Sequence, residues 1–319
     1  ERLRDLKARN GLSIKTDWND YPCRQYFDAG NFRDLLWIRR TIDRINEPGA
    51  KKLLYTAWLC IIEDCSNRKK DGNGLATVRT SIRNVFEHFQ DKAFAMMDDI
   101  ERYPLPNGVR ARTYDDSALA LHRHTESFGP RTGKIPGAII FSPPYANSFD
   151  YFESYKMELL FGGFLTVNEL AKKRMEAVRS FRICYGYELR YNFSLLNRIC
   201  DEIKKAIPIK EAIFGRRDAR TRLVPNILKG YFQDMEAAIK TFSRVLPKKG
   251  KCYIVVDQSA YVGVAVPTDV MLAQLAERHA FKVRELIKCR RANTSGQQLR
   301  RFPYLKESLR ESIVVLEKR

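Results

Sequence analysis

The segment GAIIFSPPYANSFDYF, residues 137–152, drives a short apolar run straight into Ser142, Pro143, Pro144 and Tyr145. Proline has no N–H to give to a ladder, so two in succession stop a strand and leave a rigid, preset backbone behind it. Such a turn can fix a backbone carbonyl and the Ser142 hydroxyl as acceptors for the two hydrogens of an amine. Tyr145 adds a flat face on which a planar ring can stack. The plain alternative is a surface aromatic packed against its own turn.

The surrounding elements must hold that turn in place. Residues 30–103 read as helical, with apolar residues three and four apart, as at Leu36, Ile38, Ile42 and Ile45. From about residue 108 short strands alternate with helices, the pattern of a mainly parallel sheet with helical crossovers. Strands are expected near 109–114, 137–142, 251–257, 281–289 and 311–317, the last of them antiparallel. GYFQDMEAAIKTFSRVL is an amphipathic helix stopped by PKKGK, and a further helix follows Pro267. The expected division is a helical region over 1–107 and an α/β core over 108–319, with an Arg- and Tyr-rich insertion at about 165–226.

Composition narrows the partners. In 319 residues, 57 Lys and Arg stand against 38 Asp and Glu, a net charge of +19 that favours a polyanion. The cations are densest in RSFRICYGYELRYNF, FGRRDARTRL and CRRANTSGQQLRRF, interleaved with Tyr and Phe. Arg179, Arg182, Arg216, Arg217, Arg220, Arg290, Arg291, Arg300 and Arg301 are therefore the candidates for phosphate contact. Gln297 and Gln298 can in principle reach base edges, and Asp150 either touches a base or caps the following helix. No apolar run of membrane-spanning length and no signal peptide occurs, so no membrane role is expected. The seven cysteines form no CxxC pair, and the His122/His124 pair sits in a polar loop, so no metal site is expected.

A strand ending in Ser-Pro-Pro-Tyr resembles the catalytic loop of the DNA amino-methyltransferases, and the Ser-first form is most similar to their cytosine-N4 subgroup. The order that follows, helix, strand, helix and a closing strand pair, is the order of the methyltransferase sheet after its fourth strand. VLPKKGKCYIVV resembles the helix-turn-strand junction of that superfamily, with Lys249 in place of a glycine. SGQQ followed by LRESIVVLEK resembles the tail of a subgroup of bacterial site-specific enzymes.

The resemblance implies a Rossmann-like sheet with helices on both faces, S-adenosylmethionine as cofactor, double-stranded DNA as partner and a base flipped out of the duplex. It implies a bacterial or archaeal cytoplasmic, nucleoid-associated enzyme of restriction-modification type. Its catalytic residues would be Ser142, Pro143, Pro144 and Tyr145, with Phe141, Asp115 and Asp116 on the cofactor side. No catalytic carboxylate is nominated, because the amine proton becomes acidic once the methyl has moved.

The glycine-rich cofactor signature of the family is not found: GNG at 72–74, GGF at 162–164 and GVAV at 263–266 do not lie in a strand-to-helix turn of that kind. The expectation is that the first two strands belong to a preceding segment or a second polypeptide, with a gap beside the 137–142 strand. The rival readings are an adenine-N6 or RNA methyltransferase, and a non-catalytic DNA-binding subunit of a methyltransferase complex.

Overall fold

The computed structural model describes residues 21–71, 74–80, 82, 84–109, 111–124, 135–147, 149–180, 191–292 and 296–319. The chain divides into two units, residues 1–113 with 151–173, and residues 114–150 with 174–319.

In the first unit, three helices form where polar residues cap apolar stripes. Asp28 accepts a 2.8 Å hydrogen bond from the Asn31 amide and starts α1, Ala29–Asp43. Glu47 caps α2, Pro48–Ile61, with Pro48 in the first turn, where no helical partner awaits an N–H. A hairpin follows, β1 Arg68–Asp71 and β2 Gly74–Thr77, paired antiparallel with Asp71 opposite Gly74. The hairpin stands where the polar run KKDGNG separates the helical segments of this region. Asn84, accepting from the Glu87 amide at 3.1 Å, starts α3, Val85–Arg102.

Beyond the loop come α4 Tyr151–Ser154, α5 Lys156–Phe161 and α6 Val167–Glu176. Met157, Leu160, Phe161 and Leu170 join Phe32, Leu35, Trp58, Ile61 and Phe89 in one apolar cluster. Phe32 and Phe161 stack at 5.4 Å, and buried Trp58 donates to the Leu35 carbonyl at 2.9 Å. Each large side chain so buried stabilises the unit by about 1.5–3 kcal/mol against leaving it in water.

The second unit is built on a four-stranded sheet of order β3–β4–β8–β7: β3 Ala138–Phe141, β4 Lys251–Asp257, β7 Phe281–Arg291 and β8 Arg310–Lys318. The pair β3 and β4 is parallel, whereas β8 runs antiparallel to both β4 and β7. Among the described residues β3 is an edge strand, with β4 on its one paired side. The helices are α7 Ser194–Phe214, α8 Ala219–Arg222, α9 Val224–Val245 and α10 Thr268–Glu277, with short α11 Gly296–Arg301 and α12 Leu305–Ser308. A small hairpin, β5 Ser259–Tyr261 and β6 Val264–Val266, leads from β4 to α10.

Period-two alternation in β4 buries Cys252, Ile254 and Val256, and Val314 and Leu316 of β8 lie in the same cluster. Leu228, Tyr231, Phe232, Met235 and Phe242 of α9 and Met271, Leu272 and Leu275 of α10 fill it from the helical side. The stretch read as an insertion supplies α7, whose Leu196, Ile199, Cys200 and Ile203 enter that cluster. This is a mixed α/β, Rossmann-like methyltransferase architecture, as expected.

One strand is corrected: residues 111–115 have no regular structure, and Arg110 lies outside the described residues. The segment VRARTY sets Ala111 between two cations and leaves Val109 and Tyr114 at its ends, too little apolar surface on one face to hold a strand to a sheet, and residues 111–116 are exposed.

At the junction before β4, Lys249 adopts φ 68°, a left-handed conformation suited to glycine, and its amide donates to the Lys318 carbonyl at 3.0 Å. Next to it, a side chain at Gly250 would meet the Pro247 carbonyl at 2.9 Å, so that position admits glycine alone. Among the described residues no helix is long and apolar enough to cross a membrane, and no group of three or more His, Cys, Asp or Glu could hold a metal.

Candidate active site

The Ser142-Pro143-Pro144-Tyr145 turn leaves the C-terminal end of β3 next to the C-terminal end of parallel β4. Open sheets bind ligands in the crevice outside such carboxyl ends. Pro143 is buried, while Ser142 is exposed and Tyr145 half-buried against the core. The Tyr145 hydroxyl donates to Glu311 Oε1 at 3.1 Å, and Ser142 Oγ lies 3.5 Å from that hydroxyl, at the outer limit of a hydrogen bond. Burial raises the Tyr145 phenol above its ordinary pKa, so the hydroxyl keeps its proton for Glu311.

Two acids sit across the strands from one another. Asp257 ends β4 and Glu311 opposes it in register on β8. Arg290 of β7 donates from Nε to Glu311 Oε2 and holds that carboxyl below its usual range. Asp257 is pushed up to about 6, first by burial and then by the charge of Glu311. Its Oδ1 is buried with no hydrogen-bond partner among the described residues. Asp257, with this one buried oxygen unpartnered, is the residue that the sequence does not single out. The available signal was an apolar strand, KCYIVVD, ending in an acid beside the Pro-Pro turn.

A third acid locks this edge. Asp269, fully buried at the start of α10, accepts from Gln258 Nε2 at 2.6 Å, Arg310 Nε at 2.9 Å, Ser312 Oγ at 2.9 Å and the Val270 amide at 2.9 Å. Gln258 follows Asp257 and Arg310 precedes Glu311, and the Gln258 amide donates to the Arg310 carbonyl at 3.0 Å. Burial works to raise the Asp269 pKa, but the donors from Gln258, Arg310 and Ser312 outweigh it and hold the carboxyl below its ordinary value.

Of the residues assigned to the cofactor side, Asp116 and Phe141 make contacts within the chain. Asp116 accepts from the Ser117 amide at 2.7 Å through Oδ1, and Oδ2 lies 2.9 Å from His124 Nε2. The Phe141 ring packs edge-on against Phe242 at 5.0 Å, and Asp115 is exposed.

The expected nucleic-acid residues divide by what they touch. Arg179 forks onto Asp234 of α9, Nε to Oδ2 at 2.9 Å, with Nη2 also reaching Gln233 at 3.0 Å. Asp150 is buried and paired with Arg174, Arg290 with Glu311, and Arg291 with Glu307 at 2.7 Å. Gln298 donates its amide to the Ala260 carbonyl at 2.6 Å. Arg216, Arg217, Arg220 and Arg300 are exposed, and Arg301 lies over the Phe214 ring at 3.9 Å. Arg182 and the Gln297 side chain lie outside the described residues.

The chain is similar to the Type II methyltransferase M.AvaI of Nostoc sp., with 24% identity over 296 residues that cover 85% of this chain and 61% of that protein. M.AvaI of Anabaena variabilis matches to the same extent. The Type II methyltransferase M.BsoBI of Geobacillus stearothermophilus is 25% identical over 267 residues, 78% of this chain and 49% of that protein. The chain thus spans between about half and three fifths of the length of these relatives. No protein-family model and no solved structure matches it.

Proposed function

We propose that this chain carries the base-holding site of a site-specific DNA methyltransferase that modifies the exocyclic N4 amine of a flipped cytosine. The observation that carries the reading is the rigid Ser142-Pro143-Pro144-Tyr145 turn at the sheet edge, whose Tyr145 bonds to Glu311, the register partner of Asp257. Similarity to Type II methyltransferases supports the reaction class. The Ser-first form of the turn supports cytosine over adenine.

The amine of cytosine is conjugated into its ring and is a poor nucleophile. Acceptors fixed on both of its N–H bonds localise the nitrogen lone pair in the direction from which a methyl group must come. Ser142 Oγ and a carbonyl of the turn supply those acceptors, and the Tyr145 ring stacks on the extruded base, an interaction worth about 1–3 kcal/mol. When the nitrogen gains its methyl it sheds one proton. Asp257, with a pKa of about 6, takes that proton at neutral pH. S-adenosylmethionine is the proposed methyl donor, and the steps assigned to the residues of this chain concern the amine alone.

The test is nucleoside mass spectrometry on DNA modified by the active enzyme, wild type against Ser142→Ala. N4-methylcytosine that falls by tenfold or more in the variant supports the site. N6-methyladenine as the product would move the reading to the adenine-specific rival.

A further inference from the structure

Several cations of the second unit are neutralised within it: Arg222 by Glu211, Lys210 by Asp218, Arg179 by Asp234, Arg290 by Glu311 and Arg291 by Glu307. Four arginines at one corner are gathered instead around an aromatic ring. Arg216 and Arg217 follow the end of α7, Arg300 lies in the last turn of α11, and all three are exposed and make no ion pair within 4.0 Å among the described residues. The two segments lie 83 residues apart in sequence, yet the Arg301 guanidinium stacks on the Phe214 ring at 3.9 Å and joins them. A guanidinium stacked by its face keeps its edge N–H groups open to a second partner.

This corner is tied to the 142–145 loop. Gln298 of α11 donates to Ala260 of β5 at 2.6 Å, and the Tyr304 hydroxyl donates to the Gly263 carbonyl. Gly263, at φ 86°, fits so closely under Phe302 that an added Cβ would sit 2.7 Å from its ring. From the same hairpin, the Tyr261 hydroxyl donates at 2.8 Å to the carbonyl of Ala146, the residue after Tyr145. Side-chain bonds from α11 to the hairpin, and from the hairpin to the loop, thus connect the arginine corner to the candidate active site.

We infer that Arg216, Arg217, Arg300 and Arg301, braced on Phe214, form one ridge that binds the phosphate backbone of duplex DNA, and that the β5–β6 hairpin transmits its engagement to the 142–145 loop. The inference rests on the DNA-methyltransferase reading and adds the surface that seats the duplex. Planar guanidinium donors suit phosphate oxygens, which they bind without regard to base sequence. Four guanidinium groups gathered on one corner would release several counterions together when a duplex is seated there.

The experiment measures fluorescence anisotropy of the full chain with a labelled random-sequence duplex across a salt series. Replacing Arg216, Arg217 and Arg300 together by Ala should reduce the slope of log affinity against log salt by roughly 2 to 3, about one for each phosphate that no longer has its arginine. Lys205→Ala, which removes an α7 cation already paired with Glu202, should leave the slope within error. An unchanged slope in the triple variant, or a greater reduction in Lys205→Ala, overturns the ridge. Tighter binding of single-stranded RNA than of duplex DNA overturns the choice of partner.

Amide hydrogen exchange tests the coupling. Duplex DNA should slow exchange at residues 142–147 in the parent protein, and Gln298→Ala should bind DNA within twofold while losing most of that protection. Retained protection in Gln298→Ala removes the coupling claim. A normal salt slope without any methyl transfer would instead sink the reaction and leave the ridge standing.

Discussion

Tyr145 and Glu311, 166 residues apart, are joined by a 3.1 Å hydrogen bond from the phenol to the carboxylate, and the same carboxylate is held from its other side by Arg290. The bond ties the Pro-Pro turn to β8, so the tyrosine ring is fixed in tilt as well as in place. Tyr145→Phe keeps the stacking face and removes only this bond. It should cost about 1 kcal/mol of stability, and slow methyl transfer by a few-fold, because a ring able to tilt holds a base less well. Tyr145→Ala should slow it by a hundredfold or more. Urea unfolding and single-turnover rates separate the two effects, and equal rates for Phe and Ala variants would show that the ring face is unused.

Asp257 gives a pH signature. Its pKa rises from the usual 3.8 to about 6 on folding, so the folded state holds the proton more tightly than the unfolded state. Stability should therefore fall as pH rises from about 4 to about 6 and stay lower above that. For a half-buried group, discounted for solvent screening, the decrease is about 1–2 kcal/mol. Asp257→Asn should remove that dependence and be more stable than the parent at pH 8. Methyl transfer in the parent should rise with pH to a plateau with a midpoint near 6, and the Asn variant should be slow and flat. A parent rate with no limb near pH 6 would take Asp257 out of the chemistry.

Asp269 carries the opposite sign. Its carboxyl lies below the ordinary range, so its stabilising contribution is present above the unfolded value near 3.8 and disappears as pH falls through the folded value. Asp269→Ala leaves buried Gln258 and half-exposed Arg310 without their acceptor and should cost about 2–3 kcal/mol. Chemical denaturation at pH 7 measures this. A decrease below about 1 kcal/mol would mean that the network around the Asp257 edge relaxes without it.

Lys249→Gly should stabilise the protein by about 0.5–1 kcal/mol, because lysine at φ 68° carries a left-handed penalty that glycine lacks. Thermal unfolding would show it as a rise of a few degrees or less. A destabilised variant would mean that the entropy glycine gains on unfolding outweighs the relieved backbone.

Much of this architecture can be read from local pattern. Alternation in KCYIVVD, the Pro and Gly stop of PKKGK, and the strand-breaking Ser-Pro-Pro-Tyr are signals carried by neighbouring residues, and β3, β4, β7 and β8 stand near where they predict. What stayed hidden depends on distant partners. Nothing near Met157 or Phe161 announces that they pack against Phe32 and Trp58. The pairing of Arg179 with Asp234 and of Gln298 with Ala260 likewise emerges only on folding, since a charge or amide in sequence does not disclose its partner. Asp257 shows the same limit: an acid at a strand end is ordinary, and only burial opposite Glu311 makes its pKa unusual.

The most direct measurement is nucleoside mass spectrometry of DNA from a methylation-deficient host expressing the active enzyme, either parent or Tyr145→Ala, with duplex binding measured on both proteins. The predicted result is N4-methylcytosine from the parent, at least a hundredfold less from Tyr145→Ala, and duplex affinities within about twofold of each other, because base stacking and phosphate binding rest on different residues. Parent-level methylation by Tyr145→Ala would contradict the account, since the turn beside Asp257 would then be only a turn.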